Sequence, residues 1–137
     1  MSGTVYGYNV GFLLHIVIEI PAFINFLLFP SGQLGTPTPH AHAVVRQYAM
    51  LLLSSVLVSV AVLQRPQDTL TGQLSGALSI YHIGPSIRAA SRLVQRADLG
   101  KKLLPSEAAL YLFVHCICGA ALFHGCWSFY LKSLLHP

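Results

Sequence analysis

Glu19, His82, His115 and His15 are the residues of this chain whose types could move a proton inside an apolar environment. Glu19 is the only acidic residue in any apolar stretch. It lies in FLLHIVIEIPAFINFLLF (12–29), together with His15 and Asn25. A carboxylate in hydrocarbon either takes up a proton or acquires a partner. Histidine is the available partner, because no Lys or Arg falls at that depth. A carboxyl–imidazole pair can relay protons between its members. Ionisable groups inside membrane-embedded stretches carry a functional reading by default.

Spacing sorts these residues by depth. His15 and Glu19 are four apart, hence on one helix face. At ~1.5 Å per residue, Glu19 lies ~16 Å and His15 ~10 Å from the outer edge of the first apolar run. Counted from the same side, His82 lies at ~20 Å, His115 at ~22 Å and His124 at ~9 Å. Glu19, His82 and His115 therefore form a candidate catalytic cluster near the midplane, with Glu19 as general acid or base and the histidines as relay or orienting groups. His15, Asn25, Arg46 and Gln47 are candidate substrate contacts. The structural alternative is an interhelical hydrogen bond for each histidine. Glu19 fits that alternative less well, since Gln would serve the same purpose at lower cost.

Other chemistries find less support. Glu19, His15, His82 and His115 include zinc and iron ligand types, and two histidines can hold haem. No H-x-x-x-H or E-x-x-H spacing sharpens the idea, so no metal and no cofactor is assigned. His40 and His42 are two apart and do not share a helix face. Cys116, Cys118 and Cys126 all fall in the last apolar run and read as small packing residues. No nucleophile elbow, phosphate-binding loop, dinucleotide fingerprint or HExxH is present.

The elements that must position these residues follow from composition. Of 137 residues, 54% are hydrophobic and only 9% charged. Mean hydropathy is +0.63. A soluble domain has about a quarter of its residues charged, so the deficit argues for a polytopic membrane protein. At roughly 20 residues per crossing, the chain is expected to be all-α, a single four-helix transmembrane bundle over 1–137. Its spans are placed at about 8–29, 44–63, 69–90 and 108–131. Pro30-Ser31-Gly32 stops the first span, and Pro21 should kink it. Thr38-Pro39 reads as N-cap and first helical residue. Ser54, Ser55 and Ser59 suit helix contacts. The third span is the most polar, and Gly72 and Gly76 in it form a G-x-x-x-G that could serve a homodimer. Pro105-Ser106-Glu107 starts the fourth span. Trp127, Phe129, Tyr130, Tyr6 and Tyr8 read as an aromatic belt.

Charge sets orientation and excludes one partner class. The net charge is +4, and five of the eight basic residues fall between Arg88 and Lys102. That is a juxtamembrane pattern, with no platform for nucleic acid. The first and third loops hold Arg46, Arg92, Arg96, Lys101 and Lys102, so that side is expected to be cytosolic. The termini then lie in a lumen or outside the cell. The N-terminus lacks the basic region and cleavage site of a signal peptide, so the first span reads as a retained signal-anchor.

The segments LLHIVIEIPAFINFLLFPS (13–31) and PHAHAVVRQYAMLLLSS (39–55) resemble small four-span membrane proteins of filamentous fungi. That resemblance implies an endomembrane such as the endoplasmic reticulum and, by association, secondary metabolism. Size and buried polar residues are also similar to the four-helix membrane folds of the DoxX and sterol-isomerase-like groups. In the isomerases, buried acidic residues and histidines handle protons. No residue is carried over from either resemblance.

Three functions follow. The first is an accessory or assembly component bound to a larger membrane partner. The alternative is an intramembrane enzyme using Glu19 and the histidines on an apolar terpenoid, sterol or polyketide. The third is a small proton-coupled carrier.

Overall fold

The computed structural model describes residues 6–34, 38–100, 102 and 106–135, with backbone alone for 6–9. Lys101, Pro105 and the side chains of Tyr6 and Tyr8 lie outside the described residues. The architecture is all-α: α1 Tyr6–Leu28, α2 Pro39–Leu63, α3 Thr69–Tyr81, α4 Ile83–Asp98 and α5 Glu107–Leu135, with a short 3-10 turn at Pro30–Gln33. Three stretches are long and apolar enough to cross a membrane: Val10–Leu28, Pro39–Leu63 and Glu107–Leu135.

Local chemistry explains the boundaries. Pro39 opens α2 at a position where its missing N–H costs nothing, behind an extended Thr38 whose side chain makes no capping bond. Asp68 caps α3 by accepting from Thr71 N at 2.8 Å. Ser106 Oγ accepts from Ala109 N at 3.2 Å and caps α5. Gly100, at φ +63°, closes α4 in the left-handed region that glycine occupies without strain.

Two departures from the expected spans matter. The stretch 69–90 is not one helix: it breaks at His82, and the second helix runs on to Asp98, through residues expected to be loop. Pro85 is the cause. It offers no N–H to the carbonyl of Tyr81, and its ring crowds that carbonyl. His82 N turns instead to Ser79 O, and Ser86 N and Ser86 Oγ bond His82 O at 3.2 and 2.8 Å. Pro21 has no such effect, since α1 runs through it as one element.

The chain divides into two compact units: Met1–Gly11 with Pro66–Pro137, and Phe12–Arg65. In the first unit α3 and α4 run antiparallel along α5. Ser75 Oγ donates to Leu122 O at 2.7 Å, Gly76 faces Cys126, and Ser86 faces Cys116. Gly72 admits Phe129 so closely that a Cβ there would stand 2.8 Å from the ring. The G-x-x-x-G face is thus taken up by α5 of the same chain, which corrects its expected use as a dimer face.

In the second unit α1 and α2 meet through side chains. The Phe26 and Tyr48 rings lie 5.7 Å apart. Arg46 Nε reaches Leu27 O at 3.4 Å, a long bond to one of the carbonyls left open at the end of α1. The buried positions of α2 (Ala49, Leu52, Val56, Ser59 and Val62) recur every three or four residues, as one helix face requires.

Polar side chains are buried alongside apolar ones such as Phe12, Leu52, Val56 and Leu122, while many large apolar side chains are exposed. His15, Glu19, Ser59, Thr71, Ser75 and His82 are buried, whereas Leu13, Val17, Leu51, Leu57, Leu110 and Phe113 are exposed.

Candidate functional site

His82 stands at the break between α3 and α4, where the chain has already given up a regular helical hydrogen bond. Its side chain is 1% exposed. Gly119 on α5 makes room for it: a Cβ at that position would lie 3.2 Å from the His82 Cβ. One turn earlier on α5, His115 presents Nδ1 to His82 Nδ1 at 3.0 Å. The two rings are 5.2 Å apart and tilted by 41°. Tyr81 meets the His82 ring edge-on, and Cys118, fully buried, brings its sulfur within 4.8 Å of a His82 nitrogen.

Two facing imidazole nitrogens at 3.0 Å need one proton between them. One must donate and the other accept, so each neutral ring that accepts carries its own proton on Nε2. Protonating both rings would set two N–H groups head to head and break the bond. The pair therefore holds one shared proton and can pass it from α5 to the α3–α4 break. His115 is only half-buried, so the pair has one sealed member and one accessible member.

In the second unit His15 and Glu19 lie one turn apart on the buried face of α1, with Phe12. Glu19 is 1% exposed. His15 Nε2 stands 3.0 Å from Ser55 Oγ on α2. Ser55 gives its only proton to Leu52 O at 2.8 Å, so its oxygen accepts and His15 must donate from Nε2. Ser59, one turn further along α2, is fully buried, and its hydroxyl bonds to nothing among the described residues.

The structure thus brings His82 to His115 in the first unit, and sets His15 beside Ser55 in the second. Asn25, Arg46 and Gln47 are exposed. Arg46 is engaged with the end of α1, and His124 is exposed with Ser128 Oγ at 3.4 Å. His40 is exposed; His42 is partly buried, its Nε2 unbonded. Two positions that shape the site were not singled out from the sequence as functional: Pro85, which breaks the helix at His82, and Gly119, which admits the ring. The proline had a legible signal, because the residue four before an interior proline loses its helical donor. Gly119 had none, since its role depends on which helix passes over it.

No protein-family model matches the chain, and no curated protein or solved structure matches it. The chemistry of the site therefore rests on its own residues.

Proposed function

We propose that this chain is an integral membrane enzyme that moves a proton on an apolar small molecule within the bilayer. The single observation that carries the proposal is the 3.0 Å Nδ1–Nδ1 bond between His82 and His115, with one ring sealed and the other accessible. A structural hydrogen bond does not need two titratable groups; a proton relay does. The membrane setting is supported by three apolar helices and by the many large apolar side chains left exposed along them, among them Leu13, Val17, Leu51, Leu57, Leu110 and Phe113. The kinked α3–α4 pair supplies a fourth crossing, and the basic residues from Arg88 to Lys102 put that end on the cytosolic side of an endomembrane such as the endoplasmic reticulum.

Glu19, buried on α1 and the one acidic residue in the apolar stretches, takes a general acid–base role of its own. The reaction class is isomerisation: a proton leaves one carbon of the substrate and returns to another, so no co-reactant is consumed. Terpenoids, sterols and polyketides are the apolar substrates that suit a site reached from lipid, in keeping with the resemblance to fungal membrane proteins.

A second reading is an accessory or assembly protein. It is favoured by Ser75–Leu122 and His15–Ser55, which tie helices together and have no evident chemistry.

Solvent exchange separates the two. The purified chain is incubated in heavy water with a lipid extract of its host, and the extract is scanned by mass spectrometry for new C–D bonds. The wild type should label at least one component. Glu19→Gln, His82→Asn and His115→Asn should lower that labelling about a hundredfold or more, the lower end of what general acid–base catalysis contributes. Labelling no greater than in a protein-free control sinks the enzyme reading and leaves the accessory one.

A further inference from the structure

We propose that His115 is the member of the histidine pair that touches the substrate, through Nε2, and that it is reached along the seam between α4 and α5 beside Cys116. His82 is a positioning residue that acts only through His115. The inference rests on the proton-transfer reading above and divides its labour.

The two rings differ in what surrounds them. His82 is 1% exposed. Gly119 lies against its Cβ, the Tyr81 ring stands edge-on to it, and Ser86 N and Oγ both bond its carbonyl oxygen. His115 sits on the unbroken run of α5 and is only half-buried. Its Nδ1 faces His82, so a substrate proton is exchanged at the other ring nitrogen, Nε2. The next residue, Cys116, is exposed, and its sulfur lies 3.9 Å from Ser86 Oγ on α4. The seam between the two helices therefore passes His115 and reaches the surface at Cys116. Phe113, Cys116 and Ile117 share one face of α5 by their spacing, and all three are exposed. An apolar molecule would approach over that face.

The chemistry needs only one ring at the substrate. With His115 donating from Nδ1, its Nε2 carries a lone pair. That nitrogen takes a proton from a substrate carbon, and the C–H electron pair stays on the substrate. The pair is then a cation with an N–H at each Nε2 and one proton between the Nδ1 atoms. The bond survives and is charge-assisted, so the charge is spread over two rings. Return of the proton from His115 Nε2 to a second carbon restores the neutral pair.

Two measurements test this. First, the full chain in detergent micelles is treated with diethyl pyrocarbonate, which acylates accessible imidazoles, and the products are mapped by mass spectrometry. His115 should be modified, with exposed His124 as the reference, and His82 spared. Prior alkylation with N-ethylmaleimide should protect His115 in the wild type and not in Cys116→Ser. Modification of His82 as fast as His115, or no protection by alkylation, would overturn the assignment. Second, the heavy-water labelling is repeated with added imidazole. His115→Gly should lose about a hundredfold and regain part of it, because imidazole enters by the same seam. His82→Gly should lose as much and regain nothing. Rescue of His82→Gly would overturn the division of roles. Absence of labelling in the wild type sinks the enzyme reading, and the substrate contact with it, even where the acylation pattern holds.

Discussion

Ser55 and Ser59 sit one turn apart on α2 and illustrate how differently one hydroxyl behaves by position. Ser55 accepts from His15 and donates to Leu52 O. Ser59 is fully buried, with its hydroxyl unbonded among the described residues. Ser55→Ala should therefore lower stability by about 0.6 kcal/mol, the usual worth of an interhelical bond in a membrane protein. Ser59→Ala should leave stability unchanged or raise it, because it removes a buried polar atom that bonds to nothing. Thermal unfolding of the two variants in detergent checks the opposite signs. The serines were recognisable beforehand as small polar residues suited to helix contacts. Which of them has a partner was not, since that depends on the rotation of α1 against α2.

At the scale of the element, the α3–α4 break decides where His82 points. A single helix over 69–90 would carry His82 onward in regular register; the break at Pro85 lets it turn under Gly119 to meet His115. Gly119→Ala should push the His82 Cβ away from 3.2 Å and cost about 1–3 kcal/mol, as overpacking does. It should also uncouple the pair. His82→Asn and His115→Asn should show a coupling energy in wild type that disappears in the Gly119→Ala background, as a double-mutant cycle on thermal stability would reveal. Persistent coupling would mean that Gly119 does not position the ring. The extension of α4 to Asp98 has a sequence signal in retrospect, since Arg88, Arg92 and Arg96 repeat at helical spacing. A basic stretch reads as loop only when that period is overlooked.

For the whole molecule, the proposed membrane setting turns on how many crossings the helices supply. Three helices qualify by length and apolar character. α3 has 13 residues, about 20 Å at 1.5 Å each, and cannot cross ~30 Å of hydrocarbon by itself. In the proposed four-span arrangement it would cross in series with the first turns of α4. Four crossings put both tails on one side; three put them on opposite sides. Glycosylation acceptors appended to each terminus should both be modified. Modification of one tail alone would show that α3–α4 enters the membrane and returns without crossing.

Composition and hydropathy by themselves determined the helical class and the three strongest apolar helices, because these depend on local chemistry: backbone groups in hydrocarbon must be satisfied within the helix, and Pro39 opens α2 where the sequence sets it, although Thr38 does not cap it as expected. The same residues named Glu19, His82 and His115 as the chemistry worth finding, and depth counting set His82 and His115 at nearly one level. Only the tertiary structure decided that those two rings meet through Nδ1, that His15 pairs with Ser55, and that the G-x-x-x-G face is spent on α5. Depth along a helix follows from counting residues. Direction around it follows from packing, and at His82 from a proline that breaks the count.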